Sequence, residues 1–139
     1  WIWEAGKEQV AFSETTLQKE FTLRGKVRKA TVMVAVDDCG EVFLNGKSIG
    51  KTINFMSAVT FDCTVQLLPG ANVLSVYGKD TGQLPCGVLA ELRLEYEDGS
   101  SQTLMSDETW STKGGTPVKV IAPFGSGAWG KQTKVIPLP

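Results

Sequence analysis

Ten consecutive residues, Val88-Leu89-Ala90-Glu91-Leu92-Arg93-Leu94-Glu95-Tyr96-Glu97, confine this chain to a narrow set of folds. Positions 88, 90, 92, 94 and 96 are apolar, while 91, 93, 95 and 97 are charged. A period of two belongs to a β-strand with one face on a core and the other in water. Asp98-Gly99 follows at once and supplies the positive φ angles of a tight hairpin turn. No stretch of the chain reads as a helix.

The remaining segments extend the same pattern. Phe12 and Leu17 to Leu23 form an opening strand or pair, with Phe21 and Leu23 on one face. Ala30 to Val36 is apolar on both sides, as in a central strand covered on both faces. Asp37-Asp38-Cys39-Gly40 breaks it, and Glu41 to Leu44 then runs into Asn45-Gly46, a strong hairpin signal. Phe61, Cys63, Val65 and Leu67 alternate with polar residues and predict a half-buried strand ending at Pro69-Gly70. Asn72 to Tyr77 is a further strand, closed by Gly78 and the Lys79-Asp80-Thr81-Gly82 turn. Ser101 to Met105, Thr109 to Thr112 and Val118 to Pro123 follow. About eight or nine strands at this spacing are typical of sandwiches and barrels, and one antiparallel β-sandwich over residues 1–139 is expected. Two segments escape the alternation: Ile49 to Met56, expected to be a loop across one end, and the glycine-rich Phe124 to Gly130.

Composition removes several functions. A chain of 139 residues buries a real core without staples, and 42% apolar with 21% charged residues is globular. A net charge of −1, with lysines and arginines scattered, argues against a nucleic-acid surface. No apolar run of about 18 residues is present, so no membrane-spanning segment is expected. There is no histidine, which leaves serine or cysteine nucleophiles without their usual base and makes zinc improbable. The 15 acidic residues could be paired on paper, yet most sit on exposed strand faces (Glu91, Glu95, Glu97) or in turns, so the opposed carboxyl pair of a glycosidase is not expected. The chain begins at Trp1 and is expected to be a fragment excised from a longer protein. Among Cys39, Cys63 and Cys86, Cys63 is expected to fill the core, and one disulfide stays open.

The order of these pieces resembles a family. Ala30 to Gly50, with Asn45-Gly46-Lys47-Ser48-Ile49-Gly50 at its end, is similar to a segment of galactose-binding-like jelly rolls that accompany α-L-rhamnosidases and related glycoside hydrolases. Leu68 to Leu74, Leu89 to Gly99, Ser106 to Trp110 and both ends of the chain match the same modules in order and spacing. The resemblance implies a non-catalytic carbohydrate-binding module of an extracellular or periplasmic enzyme, or a structural sandwich that supports a neighbouring catalytic domain of the parent chain. It also implies calcium at loop carboxylates in some members. Asp37-Asp38 is the adjacent acidic pair at a strand end, and carboxylates with loop carbonyls suit calcium. The same two residues are also ordinary turn formers whose side chains accept backbone N–H bonds.

Candidate sugar contacts are the aromatics and loop amides, because a pyranose packs its C–H face on a ring while its hydroxyls seek acids and amides. Trp129, in the glycine-rich loop, is the first candidate for a sugar platform. Trp3 shares a face with Trp1, and Asn54 with Phe55 lies in the irregular loop. Tyr77 ranks lower, and Trp110 is expected in the core. The site is expected where the Asp37-Asp38 turn, the 49–56 loop and the Trp129 loop meet, with Asp37 and Asp38 as its ligand-binding and calcium residues.

Overall fold

The computed structural model describes all residues, 1–139. Twelve strands follow in chain order: β1 (Ile2–Glu4), β2 (Glu14–Thr22), β3 (Val27–Asp37), β4 (Cys39–Leu44), β5 (Lys47–Lys51), β6 (Ser57–Asp62), β7 (Ala71–Lys79), β8 (Gly87–Tyr96), β9 (Ser101–Met105), β10 (Ser111–Thr112), β11 (Val118–Val120) and β12 (Lys134–Ile136). One single-turn 3-10 helix, Thr64–Gln66, interrupts them. The larger sheet runs β11-β1-β8-β3-β6-β12, with β9 also on β8; the smaller runs β10-β2-β7-β4-β5. Every pairing is antiparallel except β12 on β6.

The alternation of β8 is the register of the core. Val88, Ala90, Leu92, Leu94 and Tyr96 are buried between the sheets, and Arg93 and Glu97 are exposed. Glu91 and Glu95, paired with Met105 and Ser101 of β9, are half-buried. β3 contributes Ala30, Val32, Val34 and Val36 to the same interior, facing Leu17, Val42, Leu44, Leu74 and Val76 of the smaller sheet. At about 25 cal/mol per Å² of apolar surface, such burial is the main stabilising term.

The far end of β3 is also covered on its outer face. A second cluster of Trp1, Ala35, Ala58, Leu89, Ala122 and Trp129 lies there. The two indoles stack with centroids 4.2 Å apart and planes 14° from parallel. They cross the start of β8 so closely that a Cβ on Gly87 would stand 2.6 Å from Trp129 and 3.0 Å from Trp1. The central strand is therefore apolar on both sides for a reason: it has two cores.

Three expectations need correction. The strand placed on Phe61 to Leu67 ends at Asp62, whose carboxylate accepts the N–H (2.9 Å) and hydroxyl (2.7 Å) of Thr64 and turns the chain into the 3-10 helix. Val65 is consequently 89% exposed. Within the expected 49–56 loop, residues up to Lys51 belong to β5, the return arm of the Asn45-Gly46 hairpin. The third is Phe12, which lies outside the opening strand and is 69% exposed. The hairpin itself forms as the sequence indicates, with φ of 53° at Asn45 and 79° at Gly46.

Candidate functional site

Three connections converge at one end of the sandwich. The first is the Asp37-Asp38 turn between β3 and β4. The second is the segment before β2, and the third is the segment between β7 and β8. Strand pairing forces this convergence, because Asp37 pairs with Gly87, Cys39 with Lys79, and Glu14 with Lys79. The Asp38 N–H donates to Lys79 O at 3.0 Å and the Asp80 N–H to Ser13 O at 3.0 Å. The peptide bond between Asp37 and Asp38 is cis, as is that between Leu84 and Pro85.

The result is a cluster of carboxylates from Asp37, Asp38 and Asp80, with one oxygen of each within 4.8 Å of the others. Each carboxylate is held by protein donors on one oxygen only. Asp37 Oδ2 accepts the Trp129 indole N–H at 2.8 Å. Asp38 Oδ2 accepts the Thr81 N–H at 2.8 Å and its hydroxyl at 2.7 Å. Asp80 Oδ2 accepts the N–H groups of Phe12 (2.8 Å) and Gly82 (3.2 Å). Asp80 is fully buried, and its Oδ1 has no donor at all.

Electrostatics make this arrangement expensive without a counter-charge. None of the chain's ion pairs involves the three aspartates. Burial pushes the Asp37 carboxyl up to about 7; the neighbouring Asp38 and Asp80 add to this, while the Trp129 N–H opposes it. Asp38 is half-buried, which raises it, but hydrogen bonds from Thr81 and the adjoining carboxyls outweigh this and hold it below the usual value. Like charges this close share a proton or take up a cation. Three carboxylates converging at a loop-built end of the sandwich, one with a buried oxygen that has no donor, could hold a hard, oxygen-seeking cation.

The residues expected in the site divide clearly. Asp37 and Asp38 are in it. Trp129 reaches it, though from below: the indole is 1% exposed, stacked on Trp1, and offers its N–H to Asp37 while presenting no free face to a sugar. Trp3 is fully buried between the sheets, so it cannot serve as a platform either. Asn54 is not brought to the carboxylates. Its side-chain oxygen accepts the Met56 N–H at 2.9 Å in a local turn, and it makes no bond to either aspartate. Phe55 packs against the Trp1–Trp129 cluster, so the 49–56 loop meets the Trp129 loop in a core and not at the carboxylates. Trp110 is buried, as expected, with its N–H on Met105 O at 3.0 Å. Tyr77 donates to Glu14 Oε2 at 2.9 Å on the smaller sheet. All three cysteines are free.

Asp80, Thr81 and Phe12 were missed. Asp80 and Thr81 lie in a four-residue turn whose sequence announces only a turn. That this turn shares an end with Asp37-Asp38 follows from the order of the strands, which the residue pattern does not encode.

A separate groove of about 380 Å³ lies on the outer face of the larger sheet. Met105, Val120, Phe124 and Val135 line it beside Trp1 and Leu89, with Glu91, Asp107 and Glu108 also on its walls.

No family model matches this sequence. An α-L-rhamnosidase of Streptomyces avermitilis is 28% identical over 130 residues, covering 76% of this chain and 12% of that protein. The crystal structure of a Streptomyces avermitilis α-L-rhamnosidase complexed with L-rhamnose superposes with a TM-score of 0.87 at 20% identity, over 96% of this chain and 15% of that one. A lectin from Pleurotus ostreatus in complex with GalNAc gives a TM-score of 0.86 at 24% identity, over 100% of this chain and 48% of the lectin. The apo form of the Pleurotus ostreatus lectin gives 0.79 at 28% identity. The chain thus spans a small part of the rhamnosidases it matches, and the resemblance to jelly-roll modules that accompany them holds in sequence and in fold.

Proposed function

We propose that this chain is a non-catalytic carbohydrate-binding module, with its sugar site at the Asp37-Asp38-Asp80 end of the sandwich. The observation that carries the reading is Asp80 Oδ1: a buried carboxylate oxygen without a donor, beside two further carboxylates, at a loop-built end of the fold. A buried polar atom left without a partner costs about 1–3 kcal/mol, so the arrangement is explained best by a ligand that satisfies it. Calcium fits this donor set, with Asp37, Asp38 and Asp80 as the residues that would hold it. When bound, such a cation supplies positive charge and open coordination positions for sugar hydroxyls. The protein's share is to fix the carboxylates: Thr81 orients Asp38, Trp129 orients Asp37, and the N–H groups of Phe12 and Gly82 orient Asp80.

The ligands of two similar structures support a choice of sugar class. One is described with L-rhamnose and another with GalNAc, so a neutral hexose or 6-deoxyhexose is the ligand to expect. A parent enzyme of the rhamnosidase kind, working outside the cell or in the periplasm, is the corresponding setting. Catalysis within this chain has no support: the three clustered aspartates are the one compact acidic group, and no base accompanies the thiols or hydroxyls.

A second reading is favoured by the outer groove. Met105, Val120, Phe124 and Val135 are each between 46% and 57% exposed, gathered in one place. A sandwich that supports a neighbouring catalytic domain would cover such a surface. The two readings concern opposite features and are compatible. A glycan array probed with calcium and with chelator separates them: binding that chelator and Asp38→Ala both remove supports the module, and silence in both conditions leaves the supporting role.

A further inference from the structure

The four tryptophans are all buried, so the site described above lacks the ring on which a sugar would rest. We propose that Phe12 is that ring, the apolar platform of the sugar site beside the Asp37-Asp38-Asp80 cluster. The inference rests on the carbohydrate reading and deepens it by naming the residue that selects for the sugar's C–H face.

Three observations carry it. Phe12 has φ of 62°, a left-handed conformation that a bulky side chain avoids unless its surroundings impose it. Its ring is 69% exposed and belongs to neither apolar cluster, so no core packing compensates for that backbone. What imposes the conformation is the acidic cluster itself: the Phe12 N–H donates to Asp80 Oδ2 at 2.8 Å. The ring lies across Gly82, where a Cβ would stand 2.9 Å from it, and the Gly82 N–H donates to the same Asp80 oxygen. An unfavoured backbone that puts an aromatic ring into water, anchored on a carboxylate whose other oxygen lacks a donor, is what a binding residue requires and a folding residue does not.

The surroundings fit. Val10 and Leu84, 48% and 42% exposed, sit on the same two connections, which touch where the Cys86 thiol meets Val10 O at 3.8 Å. A pyranose held by its hydroxyls at the carboxylate end would lay its C–H face, or a C6 methyl group, on this apolar edge. Sugars with a larger unbroken apolar face should therefore bind more tightly than those with polar groups on both faces.

The test uses titration calorimetry on the full chain, with calcium, L-rhamnose and N-acetylgalactosamine as separate titrants, and thermal melting alongside. Phe12→Gly and Phe12→Ala keep the backbone N–H that holds Asp80, and the calcium titration of each variant reads how much of any sugar loss comes through the carboxylate cluster and how much through the ring. Phe12→Gly should melt at or above the parent's temperature, because glycine adopts positive φ without strain. Both variants should weaken the bound sugar by roughly tenfold or more, and Phe12→Trp should restore it. Unchanged sugar binding in Phe12→Gly and Phe12→Ala overturns the platform while leaving the site reading intact. A parent that binds neither calcium nor either sugar overturns the site reading and the platform with it.

Discussion

The indole N–H of Trp129 donates to Asp37 Oδ2 at 2.8 Å, a buried bond between residues 92 positions apart in sequence. It ties the glycine-rich C-terminal loop to the acidic end of the sandwich, while the same ring stacks on Trp1. Trp129→Phe should preserve the stack and remove the bond, lowering stability by about 1–3 kcal/mol. Trp129→Ala should empty the outer cluster and cost more, about 3–5 kcal/mol. Urea denaturation of both variants checks the order, and a Phe variant as stable as the parent would show that the bond contributes nothing.

The register of β8 makes a sharper claim about neighbouring positions. Leu94 is fully buried opposite Ala30, and Arg93 points away from the core. Leu94→Ala should lose about 2–5 kcal/mol, whereas Arg93→Ala should stay within about 0.5 kcal/mol of the parent. Comparable losses at both positions would mean the strand is set one residue off.

The Asn45-Gly46 turn holds more than its own hairpin. Asn45 Nδ2 donates to Gln66 O at 2.9 Å and to Asn72 Oδ1 at 2.8 Å, and its own Oδ1 accepts the Val73 N–H at 2.9 Å. Gly46→Val places a β-branched side chain at φ of 79° and should cost more than about 1 kcal/mol. Asn45→Ala breaks three partly buried bonds at once and should cost at least as much. Chemical denaturation of the two variants measures both, and Asn45→Ala melting with the parent would deny the network its role.

The thiols should separate by burial. Cys39 is exposed, Cys63 and Cys86 are buried. Burial, with the Asp62 charge adding to it, pushes the Cys63 thiol up to about 12; burial also raises Cys86. Since the thiolate is the reactive form, a disulfide-exchange reagent at neutral pH should label Cys39 promptly and the other two only on unfolding. Rapid labelling of all three in the native protein would contradict the packing.

Much of this architecture is legible in the residues because strand alternation, turn dipeptides and apolar runs are local signals. β8, the Asn45-Gly46 hairpin and the doubly covered β3 follow from them directly. Phe61 to Leu67 misleads because an alternating pattern says nothing of the Asx turn that Asp62 makes with Thr64. The site is only half visible for a different reason. Asp37 and Asp38 announce themselves as a pair at a strand end, but Asp80 joins them through pairing of Cys39 with Lys79 across the smaller sheet. Trp129 looks like a surface ring in its glycine-rich loop, and it is buried because the chain folds back over a second core. Phe12 looks like a core residue, and its backbone holds it outside.

The most direct test of the account is calorimetric titration of the chain with L-rhamnose and N-acetylgalactosamine, in calcium and then in chelator, for the parent and Asp38→Ala. The account predicts at least one sugar binding the parent in calcium with a Kd of about 10 µM to 1 mM, as expected of a shallow, solvated site, with chelator and Asp38→Ala each abolishing the heat. Sugar binding of equal strength in chelator, or in Asp38→Ala, would place the site elsewhere on the molecule and contradict the account.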